Sequence, residues 1–311
     1  MAGTFRKALD FFQSTLYCDV DEDLFAASCL HDRSLPLPAS NTHIAKQMRV
    51  VAGLMVCGKA LDDHVFRGTY VTGSKDDGLD RALQRLASQT PRQEAYLRAV
   101  LLKVLPEDQQ RSRERRIEQA VQQVSAAVGK WSRDAVSFES GLQSICLEAS
   151  NSWQLVLEVE DRIMPEFTVE VGSDWQQLPT IQAPASSGAA STGQAKAQAR
   201  PQKQQAGPAP RPAQGALTRN KVANVVWPAF LAAASHAAED APDDPPVVPV
   251  HRGYVLTKAQ VQDEEEEISR KESTHRLARQ GTRRTQLSDQ KKRRNSAGFL
   301  STQGSAGSAG K

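Results

Sequence analysis

The segment Gly53-Leu54-Met55-Val56-Cys57-Gly58-Lys59-Ala60 carries the spacing G-x-x-x-x-G-K. With that spacing a glycine-rich loop turns its amides toward phosphates and a lysine reaches them. Here Ala60 stands where a Ser or Thr hydroxyl would ligate magnesium, and large side chains fill the inner loop positions. The flanking residues keep a helical period, so the segment is expected to be helix, and no nucleotide cofactor is expected. Asp19-Val20-Asp21-Glu22-Asp23 imitates the start of a calcium loop. Leu24 replaces the glycine of its sixth position and Leu30 the glutamate of its twelfth, so the chelating geometry fails. Acids ahead of Leu24-Phe25-Ala26-Ala27 fit a helix start instead.

The six histidines, His31, His43, His64, His236, His251 and His275, are scattered, and a zinc site needs three or four convergent ligands. Cys18, Cys29, Cys57 and Cys146 match no zinc or thioredoxin spacing and read as reduced thiols. Neither a metal nor a catalytic residue is expected. Met1 to Cys18 interrupts its apolar residues with Arg6, Lys7, Asp10 and Gln13, which a secretory signal does not do. Phe5, Leu9, Phe12 and Leu16 share a helical face, suited to packing or, alternatively, to a membrane surface. No apolar run is long enough to span a bilayer. An intracellular location, cytoplasmic or nuclear, is the expectation.

Charge carries more information. The 311 residues sum to +3, but residues 270–311 hold eleven Lys and Arg against two acids, a local balance of +9, which leaves −6 for the other 269. Lys291, Lys292, Arg293 and Arg294 form a basic cluster that suits an import receptor, another acidic surface, or nucleic-acid phosphates. Arg293-Arg294-Asn295-Ser296 resembles a basophilic kinase site. Phosphorylation of Ser296 would set about −1.5 to −2 charges beside the cluster.

The elements that hold these residues are mainly helical. Asn41 precedes a helical run to about Phe66, and Ser74 opens another over 75–88. Thr90-Pro91-Arg92-Gln93 combines an N-cap threonine, proline at the first helical position and glutamine at the third, so a helix is expected to Leu105. Ile117, Val121, Val124, Val128, Trp131, Ala135, Phe138, Leu142, Ile145 and Ala149 then alternate steps of four and three. That pattern predicts one long heptad-patterned helix, or two collinear ones, with a seam for another helix. Its face is buried either in an antiparallel bundle of this chain or in a coiled coil with a partner, a second copy included. The stripe continues through Trp153, Val156 and Ile163 until Met164-Pro165 stops it, and Phe167–Val171 is expected as an edge strand.

The organisation follows. Residues 1–181 form an α-helical bundle domain. Residues 182–217, rich in Ala, Gln and Pro and almost devoid of core-forming side chains, form a disordered linker. Residues 218–257 hold two apolar islands, around Val225–Phe230 and Tyr254–Leu256, suited to a hairpin or to docking on the helices; they are too short for a core of their own. Thr257-Lys258-Ala259-Gln260 opens a charged helix to 280, with Glu266 to Arg270 among its i,i+4 pairs, and 281–311 is a disordered basic tail. The expected function is a non-enzymatic protein-interaction scaffold with a tail for an acidic partner. The alternative is a nuclear or viral protein that binds nucleic-acid phosphates through that tail, and an enzyme built from distant residues is a third class.

Overall fold

The computed structural model describes residues 1–21, 35, 37, 40–71, 78–104, 106–169, 174–182, 217, 219–233, 247–262, 265–266 and 269–270. The chain forms two compact units, Met1–Val261 and Gln262–Lys311. The protein is mainly helical. Among the described residues no helix is long and apolar enough to cross a membrane.

The helices of the first unit are α1 (Ala2–Leu16), α2 (His43–His64), α3 (Gly78–Gln89), α4 (Pro91–Lys103), α5 (Pro106–Val128) and α6 (Ala135–Leu157). Thr42 caps α2, its hydroxyl accepting from the Ala45 amide. α1 buries Phe5, Ala8, Phe12 and Leu16, so the face with a membrane-surface alternative belongs to the core. The approach of α1 depends on two missing side chains. A Cβ on Gly53 of α2 would stand 2.8 Å from both Phe12 and Leu16, and one on Gly141 of α6 would strike the Phe11 ring.

The expected single or collinear long helix is instead a hairpin. A short 3-10 turn, Gly129–Trp131, ends α5, and Asp134 starts α6 by accepting from the Val136 and Ser137 amides at 3.0 and 3.2 Å. Glycine weakens the helix, and an aspartate cap gives the chain a new start. Arg113 of α5 donates to Asn151 of α6, positions equidistant from the turn, so the two helices run antiparallel. The heptad pattern continues across the break because both arms face the same core.

α6 also ends earlier than expected, at Leu157 rather than at Met164-Pro165. The residues beyond it form β1 (Arg162–Glu166); of the strand expected over Phe167–Val171, residues 167–169 are not strand, and 170–171 lie outside the described residues. Pro165 is tolerated there because β1 lies at a sheet edge, where a missing N–H costs no ladder bond.

The remaining strands are β2 (Trp175–Gln177), β3 (Val222–Trp227), β4 (Ala229–Ala233), β5 (Val247–His251) and β6 (Gly253–Thr257). β3 pairs antiparallel with β6 and β4 with β5, so the two apolar islands make one long hairpin, bent at Pro228 on one arm and at Arg252 on the other. β1 adds antiparallel to β4, and β2 adds parallel to β6. At the bend a Cβ on Gly253 would collide with the Trp175 ring.

This hairpin shares the helical core. Val226, Trp227 and Phe230 are fully buried, in one cluster with Leu54, Trp131, Leu142 and Trp153. Phe5 stacks on Tyr254 at 3.7 Å, and Phe66 meets Phe230 edge-on at 5.2 Å. The compact unit therefore runs past the expected boundary at 181, because the helices cover the strands and the strands cover the helices.

Thr257 donates its amide to Gln260 Oε1 at 3.0 Å, which is half of the expected capping box, and helix begins at Lys258. In the second unit the pair Arg270–Glu266 forms at 3.9 Å. The linker from 183 to 216, the tail 281–311, and with it Lys291, Lys292, Arg293, Arg294 and Ser296 lie outside the described residues.

Candidate partner-binding face

The predicted seam comes first. Ile117, Val124, Val128, Trp131, Phe138, Leu142 and Ile145 are buried and Val121 half-buried, all packed in or against the core of their own chain. That corrects the reading of these residues as a partner-helix seam: α2 and the opposite arm of the hairpin occupy the face a partner would need.

The chemical lures are also absorbed by packing. Gly53 to Ala60 lies within α2, and a Cβ on Gly58 would stand 3.3 Å from the Val226 carbonyl, so this glycine admits the sheet. Lys59 pairs with Asp62 at 3.0 Å and Asp63 at 3.1 Å and lies over Phe167. Burial pushes the Asp62 carboxyl up, and Lys59 opposes that push. Asp19 is held below the usual carboxylate range by its hydrogen bond and ion pair with Lys46, while Glu22 to Leu30 lie outside the described residues.

Burial raises the Cys57 thiol well above its ordinary value and the Cys146 thiol to about 12, which disfavours the reactive thiolate. His43 contacts Tyr17 and Gln47, and His64 bonds Gln123 at 2.8 Å. His251, its pKa lowered by burial, lies beside Phe230. His31, His236, His275 and Cys29 lie outside the described residues, and among those described no three metal-ligating side chains converge.

Two buried arginines, Arg49 and Arg98, bind backbone carbonyls. Arg49 donates to the carbonyls of Ser40 at 2.9 Å and Cys18 at 2.5 Å, joining the end of α1 to the start of α2. Arg98 donates to Leu157, Val159 and Glu160 carbonyls at 2.6, 3.1 and 3.0 Å. The Leu157 carbonyl is among the last acceptors of α6, and the other two belong to the chain that leaves it, so Arg98 ties α4 to the exit of that helix.

An apolar pocket of about 290 Å³ lies among Ala52, Met55, Val56, Phe167 and Val225, with Lys59 and Gln123 at its polar positions. Both are already engaged, Lys59 with its aspartates and Gln123 with His64.

The feature that packing does not absorb is α4. This 13-residue helix is turned inside out. Its buried residues are Glu94 and Arg98, 2% and 4% exposed, joined at 3.2 Å and approached by Arg162 at 3.5 Å. Four apolar residues are exposed, Tyr96 at 74%, Leu97 and Val100 at 39% each, and Val104 just beyond the helix at 43%, while Leu101 and Leu102 are half-buried and Leu102 packs against the core. A cleft of about 570 Å³ runs between α4 and the end of α6, lined by Tyr96, Ala99 and Leu102 on one wall and Leu157 to Glu160 on the other. Leu155, 68% exposed, precedes Val159 by four residues. An exposed apolar surface of this kind, rimmed by charge, is how interaction sites look.

The sequence pointed to this helix but not to its face. Thr90-Pro91 marks its start, although the Thr90 hydroxyl bonds the Gln93 side chain and not the backbone. The order Glu94 then Arg98 reads as a solvated i,i+4 pair, and only the carbonyls of residues 157–160, about 60 positions away, draw it inward.

No family model matches the chain, and comparison with curated proteins and with solved structures found no match.

Proposed function

We propose that this chain is a non-enzymatic interaction or scaffold protein in which α4 and the end of α6 form the surface that takes a protein partner. The observation that carries the reading is the inversion of α4, with an ion pair inside and Tyr96, Leu97, Val100 and Val104 outside. Full burial of a large apolar side chain is worth roughly 1.5–3 kcal/mol; a partner would recover most of that at Tyr96 and under half of it at Leu97, Val100 and Val104. α1, α2, α5 and α6, read as an antiparallel bundle, form the rigid support, and the shared core with the hairpin holds them.

The basic cluster Lys291 to Arg294 serves as the second contact, toward an import receptor or another acidic surface, with Ser296 phosphorylation weakening it. Described cysteines that form no disulfide, Cys18, Cys57 and Cys146, support a reducing cytoplasmic or nuclear setting. A photo-crosslinking residue at position 96 in the full chain, expressed in cells, tests the reading. It is expected to yield a discrete protein adduct that the same residue at Glu118 does not. No adduct at position 96 would refute the partner face.

The local charge of +9 over residues 270–311 favours one other reading, attachment to nucleic-acid phosphates through the tail. It predicts affinity that falls steeply with salt.

A further inference from the structure

The cleft beside α4 carries unpaired charge of both signs. Arg92 and Lys103 line its α4 wall near the two ends of the helix, and Glu158 lines the opposite wall. None of the three forms an ion pair with a described residue. Between them lies the apolar strip of Tyr96, Ala99 and Leu102, bordered by Val159. A patch that pairs with one external partner of a given charge needs a single sign. A two-fold interface needs the same surface to supply both, since each copy's cation must find the other copy's anion.

From this we infer that the α4 face is covered by a second copy of the same chain, in a two-fold dimer. The apolar strips of the two copies meet at the axis, and Arg92 of each copy faces Glu158 of the other, with Lys103 at the far end of the contact. The inference rests on the partner-face reading and names its occupant. The buried pair Glu94–Arg98 fits the same picture: it satisfies the charges of α4 internally, so the helix presents apolar side chains at the contact and cations only near its ends. One helix and the end of another make a small contact. Interfaces at the small end of the size range are weak, so association is expected on the order of 10 µM, with Tyr96, exposed in the monomer and covered in the dimer, dominating and the rim charges setting geometry.

The test is light scattering coupled to size exclusion on the full chain, from about 1 to about 200 µM, a range that spans the affinity expected of a small interface. The wild type is expected to pass from monomer to dimer across it. Tyr96→Glu is expected to remain monomeric throughout, and Arg92→Glu to weaken association by about tenfold or more through like-charge contact. Combining Arg92→Glu with Glu158→Arg is expected to restore the dimer to within about threefold of wild type, the coupling that only a direct pair shows. All three positions are exposed, so circular dichroism should confirm that each variant folds.

A wild type that stays monomeric at the highest concentration overturns the inference, as does a dimer indifferent to Tyr96→Glu. A reciprocal variant no stronger than Arg92→Glu alone also overturns it. These results are separable from the fate of the underlying reading. A monomer whose position-96 crosslink still captures another protein refutes the second copy and leaves the partner face intact; absence of any adduct refutes both.

Discussion

α6 and α4 meet at the end of α6, yet they place their side chains in opposite ways. α6 buries Phe138, Leu142, Ile145, Ala149 and Trp153 and leaves polar residues such as Glu139, Ser140 and Gln143 outside, with Val136, Leu147 and Leu155 as apolar exceptions. α4 buries Glu94 and Arg98 and leaves Tyr96, Leu97 and Val100 outside. The first arrangement stabilises the fold by removing apolar area from water. The second buries a smaller apolar share, with Leu102 against the core, and its arginine holds α4 on carbonyls at and just beyond the end of α6. The difference separates a region that makes the fold from a region that the fold displays.

The largest effect expected from breaking that division lies in the shared core. Trp227→Ala removes a fully buried indole and should cost about 3–5 kcal/mol. Because helices and hairpin share one core, far-ultraviolet dichroism and tryptophan fluorescence should report the same unfolding midpoint. Separate midpoints would mean that residues 222–257 fold apart from the helices.

Arg98→Met is the next probe. It strands Glu94 with only the more distant Arg162 and frees the carbonyls of residues 157, 159 and 160. Removing one member of a buried pair typically costs about 3–5 kcal/mol, and hydrogen exchange should quicken first in α4 and the last turn of α6. The double variant Glu94→Leu with Arg98→Met, which removes both charges, should recover much of the loss in chemical denaturation. If the double variant is no better than the single, the pair is not what holds α4.

A smaller effect comes from the cap that breaks the heptad helix. Asp134 has its carboxyl held below the ordinary value, first by the Ser137 hydroxyl and then by backbone amides. A carboxylate lowered in the folded state contributes stability that is present above its unfolded pKa and is lost as pH falls through the folded one. Asp134→Ala should therefore be less stable than wild type at neutral pH, and the gap should close below about pH 4, the ordinary range of aspartate. A gap that persists unchanged in acid would mean that the carboxylate is not the cap.

Much of this arrangement was legible in the sequence, and the rest was hidden by distance. Helix starts are local: Asn41 was one residue from the cap at Thr42, and Pro91 begins α4 as read. The stripe from Ile117 to Ala149 correctly named an apolar face, but spacing alone does not say whether a partner or the same chain covers it. Gly129 and Gly141 both weaken a helix by propensity, but the break falls at Gly129, where Asp134 supplies a new cap, and Gly141 stays helical. The strands were underread because their partners lie far off, Arg162 opposite Ala233 and Trp175 opposite Gly253. Pro165 and Pro249 further weaken the strand pattern from within. The face of α4 was the least legible feature, since local periodicity would turn Tyr96 and Val100 inward. Only carbonyls about 60 residues away reverse the helix.

The reversal of α4 is tested most directly by one paired measurement, equilibrium denaturation of Leu142→Ala and Val100→Ala at concentrations below self-association. Leu142 is fully buried, and its truncation is expected to cost about 2–5 kcal/mol. Val100 faces water, and its truncation is expected to change stability by no more than about 0.5 kcal/mol. Comparable losses at the two positions would show that α4 buries its apolar side within the monomer, and would contradict the division between a core that folds and a face that binds.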